Sequence, residues 1–183
     1  MKNYRSMLTG VFGDPIDSNI TVVMQEAAFA SLGLDWRYIV LLVKKDDLSD
    51  AIKGLRAMNF AGINLTMPHK IAAVELMDEL SESAGIIGAV NTVVIKEGRL
   101  IGHNTDGKGL VIGLQKEGIE LKDKHVTILG AGGAARAISV ECALAGASAV
   151  TIINRNQEKG QALSSLITEK NSVSIKKWIV NTY

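Results

Sequence analysis

The stretch Val126–Arg136, V-T-I-L-G-A-G-G-A-A-R, constrains the fold of this chain more than any other. A short strand pattern, Val126–Leu129, runs directly into a glycine-rich turn. A helix of small residues follows over Gly133–Leu144, and a second strand pattern occupies Val150–Ile153. Strand, glycine turn, helix and strand in that order open a dinucleotide-binding βαβ unit. Gly130 makes the tight turn, Ala131 continues it, and Gly132 lets the backbone approach a pyrophosphate. Ala135 stands where a third glycine is usual and is small enough for close helix–strand packing. The first helical turn, from Gly133 and Ala134, adds N–H groups and a positive dipole end. The competing reading is an ordinary tight turn that needs glycine for its backbone alone.

With 183 residues the chain can form one ordinary domain or two small ones. Hydrophobic residues make up 47%, ample for a core, and a net charge of +1 points to neither nucleic acid nor an anionic membrane as partner. The single cysteine, Cys142, excludes an internal disulfide and most cysteine-based metal sites, and no metal is expected. A free, buried thiol on the small-residue helix suits a reducing cytoplasm, the expected location. Gly10, Asp14 and Pro15 interrupt any apolar run near the N-terminus that could serve as a signal peptide. No stretch approaches the length needed to span a bilayer.

Upstream of the glycine turn, strand and helix patterns alternate. Ser6–Gly13 reads as a strand ending in the turn signal G-D-P. Ile20–Leu32 reads as a helix whose inward stripe is Ile20, Val23, Ala27 and Ala30. Trp36–Val43 is a strand pattern, and Leu48–Met58 a helix with Leu48, Ile52, Leu55 and Met58 on one face. Gly62–Thr66 is a short strand, and His69–Leu80 a helix with Ile71, Val74 and Met77 inward. Strands at Val90–Ile95 and Arg99–His103 are joined by a hairpin turn at Lys96-Glu97-Gly98. Asp106 is placed to cap a helix over Gly107–Lys116, and Gly118 with Glu120–Lys124 forms a linker. The expected fold class is α/β, with a mostly parallel sheet in the N-terminal domain and a dinucleotide-binding domain after it. The expected divisions are residues 1–106, a linker helix region at 107–124, and 125–183.

Polar residues gather at the ends of these elements, where open α/β sheets bind ligands. Lys70, near a helix start, gains nothing from the helix dipole there. Taken singly, each such residue has an ordinary structural explanation: a solvated lysine, a capping Asp106, a packed or surface His69, an Asn64 or Asn91 serving buried backbone groups. Together they form an ordered set: Gly13–Ile16, Asn64–Lys70 (N-L-T-M-P-H-K), Gly88–Thr92 (G-A-V-N-T), Asn104–Gly107 (N-T-D-G) and Gly130–Ala135. In order and spacing, from about Gly10 to Asn156, this set resembles the shikimate dehydrogenases, which interconvert 3-dehydroshikimate and shikimate with a nicotinamide cofactor.

The resemblance implies that Lys70 and Asp106 are the catalytic pair, and that Thr66 and Asn91 contact substrate hydroxyls with Asn64 supporting that loop. A lysine near the reacting oxygen can exchange its proton or stabilise charge developing on it. The family's carboxylate-binding serines fall on Asn19 and Thr21, while Ser18 and Val22 occupy its histidine and proline positions. This departure leaves quinate or a related cyclohexane carboxylate open beside shikimate. The cofactor stretch of the family corresponds to Asn154, Arg155 and Asn156, the last in place of threonine. No acid occurs there until Glu158, and a guanidinium suits a ribose 2′-phosphate, which favours NADP over NAD.

The chain ends at Tyr183, earlier than family members normally do, so the resemblance implies a truncated Rossmann-type domain. After a helix at Gln157–Ile167 there is room for one further strand, Val173–Val180. A complete fold of this type has roughly six strands. Val126–Leu129 would then be an uncovered edge, which predicts pairing with another copy as a homodimer. A catalytically inactive, substrate-binding remnant is the alternative outcome.

Overall fold

A computed structural model describes residues 5–171. They divide into two compact units, one running to Ala84 and including Gly88–His103, the other made of Gly85–Ile87 and the chain from Asn104 onward. The strand expected at Val173–Val180 lies outside the described residues.

The first unit is built on β1 (Met7–Gly13), β2 (Trp36–Leu42), β3 (Gly62–Leu65), β4 (Glu79–Leu80), β5 (Thr92–Lys96) and β6 (Arg99–His103). Their order across the sheet is β2-β1-β3-β5-β6-β4. Pairings β1–β2, β1–β3 and β4–β6 are parallel, whereas β3–β5 and β5–β6 are antiparallel, so the sheet is mixed with a parallel majority. The antiparallel β5–β6 pairing comes from the hairpin at Glu97-Gly98, where both residues adopt positive φ, as a two-residue turn of this twist requires.

Helix α1 (Thr21–Ser31) and helix α2 (Leu48–Ala57) contrast sharply. Leu48, Ile52 and Leu55 of α2 are buried with Phe12, Ile63, Leu65, Val93 and Leu100, as the spacing predicts. Each such burial is worth about 1.5–3 kcal/mol. Met58, expected beside them, follows the helix end and is exposed. On α1 the expected inward stripe is wrong: Ile20 is 81% and Val23 70% exposed, and Val22 and Phe29 pack on Val11, Ile16 and Tyr38 instead. The helix is apolar on most of its circumference, so periodicity had two stripes to choose between. The choice follows a polar contact, because Glu26 Oε1 accepts the Tyr38 N–H at 2.7 Å and so covers the edge of β2.

The helix expected at His69–Leu80 is also corrected. It is a single turn, α3 (His69–Ala72), then a 3₁₀ turn over Ala73–Leu76, then the short strand β4. Asp78 draws the chain out of helix: its N–H donates to Leu100 O at 2.9 Å and its Oδ2 accepts the Leu100 N–H at 2.7 Å. That bond, helped by Arg56, holds the Asp78 carboxyl below its ordinary pKa. Ile71, expected inward, is consequently exposed, whereas Val74 and Met77 do pack on the core. Helix α4 (Glu82–Ile87) occupies residues the sequence left unassigned; Ser81 Oγ accepts the Ala84 N–H at its start, and Gly88 ends it at φ +66°.

In the second unit, α5 (Asp106–Lys116), β7 (His125–Leu129), α6 (Gly133–Leu144), β8 (Ala149–Ile153) and α7 (Gln157–Asn171) follow in order. Strands β7 and β8 pair in parallel from His125↔Ala149 to Leu129↔Ile153. Helix α5, expected within a linker, packs on α6 so tightly at Gly107 that a Cβ there would lie 2.3 Å from the Ala137 carbonyl oxygen. Cys142 is buried on α6, and burial, with the Glu141 carboxylate beside it, pushes its thiol pKa up.

Candidate active site

The substrate residues expected in the first unit lie at the carboxyl ends of β1 and β3. Thr66 N–H donates to Phe12 O at 3.0 Å and Asp14 N–H to Met67 O at 3.1 Å, stitching the two loops together. Asn19 Oδ1 accepts the Thr21 N–H at 2.9 Å and thereby serves one of the unsatisfied donors at the start of α1. Between the loops is a cleft of about 350 Å³ on which Ser18, Asn19, Thr21 and Thr66 converge over Pro15 and Ile16. Every polar side chain lining it is neutral and able to hydrogen-bond.

Lys70 and Asn91 belong to adjoining segments of the same unit. Val90 N–H donates to Lys70 O at 2.7 Å, and Leu65 N–H to Asn91 O at 2.8 Å. Lys70 is half-buried and Asn91 buried. His69, expected as a packing or surface residue, is a fully buried anchor, its Nε2 lying 2.8 Å from Val43 O. A carbonyl accepts only, so Nε2 carries the hydrogen and fixes the loop that holds Lys70. Asn64 bonds Tyr38, Thr92 and the Asn91 carbonyl together. From sequence Tyr38 read as an ordinary strand residue, and Thr92 stood at the end of the G-A-V-N-T stretch without a role of its own.

Asp106 lies in the second unit as the first residue of α5, one place later than a cap. The cap position is Thr105, and the Asp106 N–H is served by Asn104 Oδ1 at 3.2 Å, so Asp106 does not take the capping role expected of it. An acid in the first helical turn is also favoured by the dipole.

The glycine turn has the shape a pyrophosphate needs. Gly130 N–H extends the β7–β8 ladder to Ile153 O at 2.7 Å, and its φ of +114° is open to glycine. The first bond within α6 runs from Arg136 N–H to Gly132 O at 2.9 Å. The N–H groups of Gly133, Ala134 and Ala135 therefore point out of the helix end. A Cβ on Gly132 would meet nothing within 4 Å, leaving the approach to that end open. These features fit a dinucleotide phosphate. Beside Ala131, a cavity of about 210 Å³ carries two cations, Arg136 and Lys159, over Leu163. Both were missed in the sequence, although Lys159 stands four residues beyond Arg155 in the first turn of α7. Asn154 Nδ2 donates to Asn156 O at 2.7 Å, and Asn156 Oδ1 accepts the Lys159 N–H at 2.9 Å, making Asn156 the cap of α7. Arg155 between them is exposed.

Residues 11–93 match the model of the shikimate dehydrogenase substrate binding domain, and residues 113–178 match that of shikimate / quinate 5-dehydrogenase. The chain belongs to the shikimate dehydrogenase family. The first match covers Asn19, Thr21, Thr66, Lys70 and Asn91, the second the glycine turn and Asn154–Asn156, and Asp106 falls between the two. A shikimate dehydrogenase (NADP(+)) of Alkaliphilus oremlandii is 47% identical over 160 residues, which are 87% of this chain and 56% of that protein. Among solved structures, ligand-free 5-ketofructose reductase of Gluconobacter sp. strain CHM43 superposes with a TM-score of 0.94 at 49% identity, covering 97% of this chain and 64% of that one. Shikimate 5-dehydrogenase of Listeria monocytogenes, in complex with shikimate and NAD, gives 0.93 at 37% identity over 97% of this chain and 62% of that one. The chain thus spans less than two thirds of the length of each of these three proteins. Among the described residues, no helix is long and apolar enough to cross a membrane.

Proposed function

We propose that this chain interconverts 3-dehydroshikimate and shikimate by reversible hydride transfer, with NADP preferred to NAD, as a step of aromatic amino acid biosynthesis. The observation that carries this reading is the cleft, where Asn19, Thr21 and Thr66 converge and whose Thr66 loop also bears Lys70. Neutral amides and hydroxyls suit a polyhydroxylated ring, since each can donate or accept at an oxygen of the substrate. In this reading residues 1–106 form the substrate and catalytic domain, 107–124 a connecting region and 125–183 the cofactor part.

Lys70 exchanges the proton on the reacting ring oxygen, and Asp106 accepts a hydrogen bond from the same hydroxyl. Thr66 and Asn91 orient the ring, while Asn19 and Thr21 hold its carboxylate by hydrogen bonds without a lysine or arginine. The nicotinamide, when bound, supplies or receives the hydride. The N–H groups at the start of α6, with Gly130, Ala131, Gly132, Gly133 and Ala134, hold the pyrophosphate. Asn154, Arg155 and Asn156 hold the adenosine side, with Arg155 suited to a 2′-phosphate.

The test is NADP⁺-dependent oxidation of shikimate by the purified chain, with quinate and NAD⁺ alongside. Lys70→Ala is expected to lower kcat by about 10²–10⁴-fold, the usual worth of a positioned proton-transfer group. Turnover unchanged by that substitution would remove Lys70 from the mechanism.

One observation favours a second reading. Asn19 offers an amide where the family resemblance implies a serine hydroxyl, and this chain is 49% identical to a 5-ketofructose reductase. A neutral polyhydroxy ketone would then be the substrate. Faster NADPH oxidation with 5-ketofructose than with 3-dehydroshikimate would select it.

A further inference from the structure

Four side chains of the first unit form an unbroken line of hydrogen bonds. Tyr38 Oη meets Asn64 Oδ1 at 2.7 Å, Asn64 Nδ2 meets Thr92 Oγ1 at 3.0 Å, and Thr92 Oγ1 meets Asn91 Oδ1 at 3.1 Å. A line of hydroxyls and amides could in principle run either way. Here one atom decides its direction. The Asn64 nitrogen that donates to Thr92 also faces the backbone carbonyl oxygen of Asn91 at 3.3 Å. A carbonyl only accepts, so Asn64 must turn its N–H groups that way, and reversing the amide would set oxygen against oxygen.

The consequence passes along the line. Asn64 Oδ1 faces Tyr38, so the phenol donates. Thr92 Oγ1 receives a hydrogen from Asn64 and sends its own to Asn91 Oδ1. In the structure Asn91 turns its Oδ1 to the Thr92 hydroxyl, which places its Nδ2 on the far side of the amide. Tyr38 is well held as the starting point. It is 5% exposed, its backbone N–H is bonded by Glu26 at 2.7 Å, and it packs with Val11 and Ile16. Its ring crosses β1 to reach β3, two strands away, so the hydroxyl has little freedom to turn.

We propose that Tyr38 and Thr92 are positioning residues that hold the Asn91 amide as a hydrogen-bond donor, so that this position recognises a substrate oxygen through its lone pairs. The proposal rests on Asn91 contacting substrate, as in the reading above. An amide whose orientation is already set loses no freedom when the ligand arrives, and linked bonds polarise one another in the same sense.

The test uses the full chain with Thr92→Val, Thr92→Ser and Tyr38→Phe. Without substrate, the Asn91 side-chain amide signals in a ¹⁵N–¹H spectrum are expected to shift in Thr92→Val and Tyr38→Phe and to stay in place in Thr92→Ser. With shikimate, Thr92→Val is expected to raise KM about tenfold, the scale of one hydrogen bond, and to change kcat by no more than about twofold. Thr92→Ser keeps the hydroxyl and restores KM. Amide signals unmoved in both Thr92→Val and Tyr38→Phe would overturn the relay. A Thr92→Val chain with shifted signals and unaltered KM would overturn the positioning role. Failure of the shikimate reading shows itself separately, as a wild-type chain that neither binds nor oxidises shikimate, and the amide signals still decide the relay.

Discussion

The two units present their candidate ligand surfaces in different materials. In the first, the cleft is lined by the side chains of Ser18, Asn19, Thr21 and Thr66, and Asn91 is held by a further line of side chains. In the second, the surface at the glycine turn is backbone: a positive φ at Gly130, an open approach at Gly132 and the N–H groups at the start of α6. A side-chain surface can change residues while its strands keep their register, which is how Asn19 and Thr21 can stand where the family resemblance implies serines. A backbone surface has no such latitude, because what it offers is the absence of a Cβ.

Substitutions that add one methyl group sharpen this contrast. Gly107→Ala is expected to have the largest effect, a loss of about 1–3 kcal/mol in denaturant unfolding, typical of overpacking. The new Cβ would lie 2.3 Å from Ala137 O and 2.6 Å from its carbonyl carbon, and backbone cannot step aside. Gly132→Ala is expected to leave stability within about 0.5 kcal/mol, since its φ of −84° is ordinary and no atom lies near. Its cost falls on the ligand: NADP⁺ affinity measured by calorimetry should drop about tenfold, as a lost charge-assisted bond would give. Equal losses of stability in both variants would break the distinction between a packing glycine and a binding glycine.

The last effect belongs to the side-chain network and appears only in alkali. Burial pushes the Tyr38 phenol up to about 12. A phenol that ionises near 10 when unfolded and higher when folded favours the folded state below pH 10. That contribution is lost as pH rises from about 10 towards 12. Denaturant midpoints taken at intervals across this range should fall in the wild type, and Tyr38→Phe should remove that part of the slope. Absorbance at the phenolate band should show the late-titrating tyrosine disappear in the same variant.

Much of this architecture was legible because local chemistry dictated it. The glycine turn, the small-residue helix after it and the Glu97-Gly98 hairpin require particular backbone angles that few residues supply. Helix α2 was legible because polar residues on its outer face left a single apolar stripe. Helix α1 was not, since Ile20 and Val23 match the period as well as Val22 and Phe29 do. The segment after His69 carried a helical pattern, yet Asp78 found stronger partners in the backbone of Leu100. Among candidate site residues, spacing located Asn19, Thr66 and Lys70 near the strand ends, and it could not locate Tyr38, which is 26 residues from its partner Asn64.

By itself the sequence determined most of the strands and helices, the places where only glycine serves, and the set of polar residues at the strand ends. These follow from interactions within a few residues of one another. Only the tertiary structure decided which face of α1 is buried, that His69 is an anchor, and which way the Asn91 amide points. Each of those depends on a partner brought close by sheet pairing, and the direction of the Asn64 amide that leads to Asn91 turns on one backbone carbonyl that can accept a hydrogen bond and never donate one.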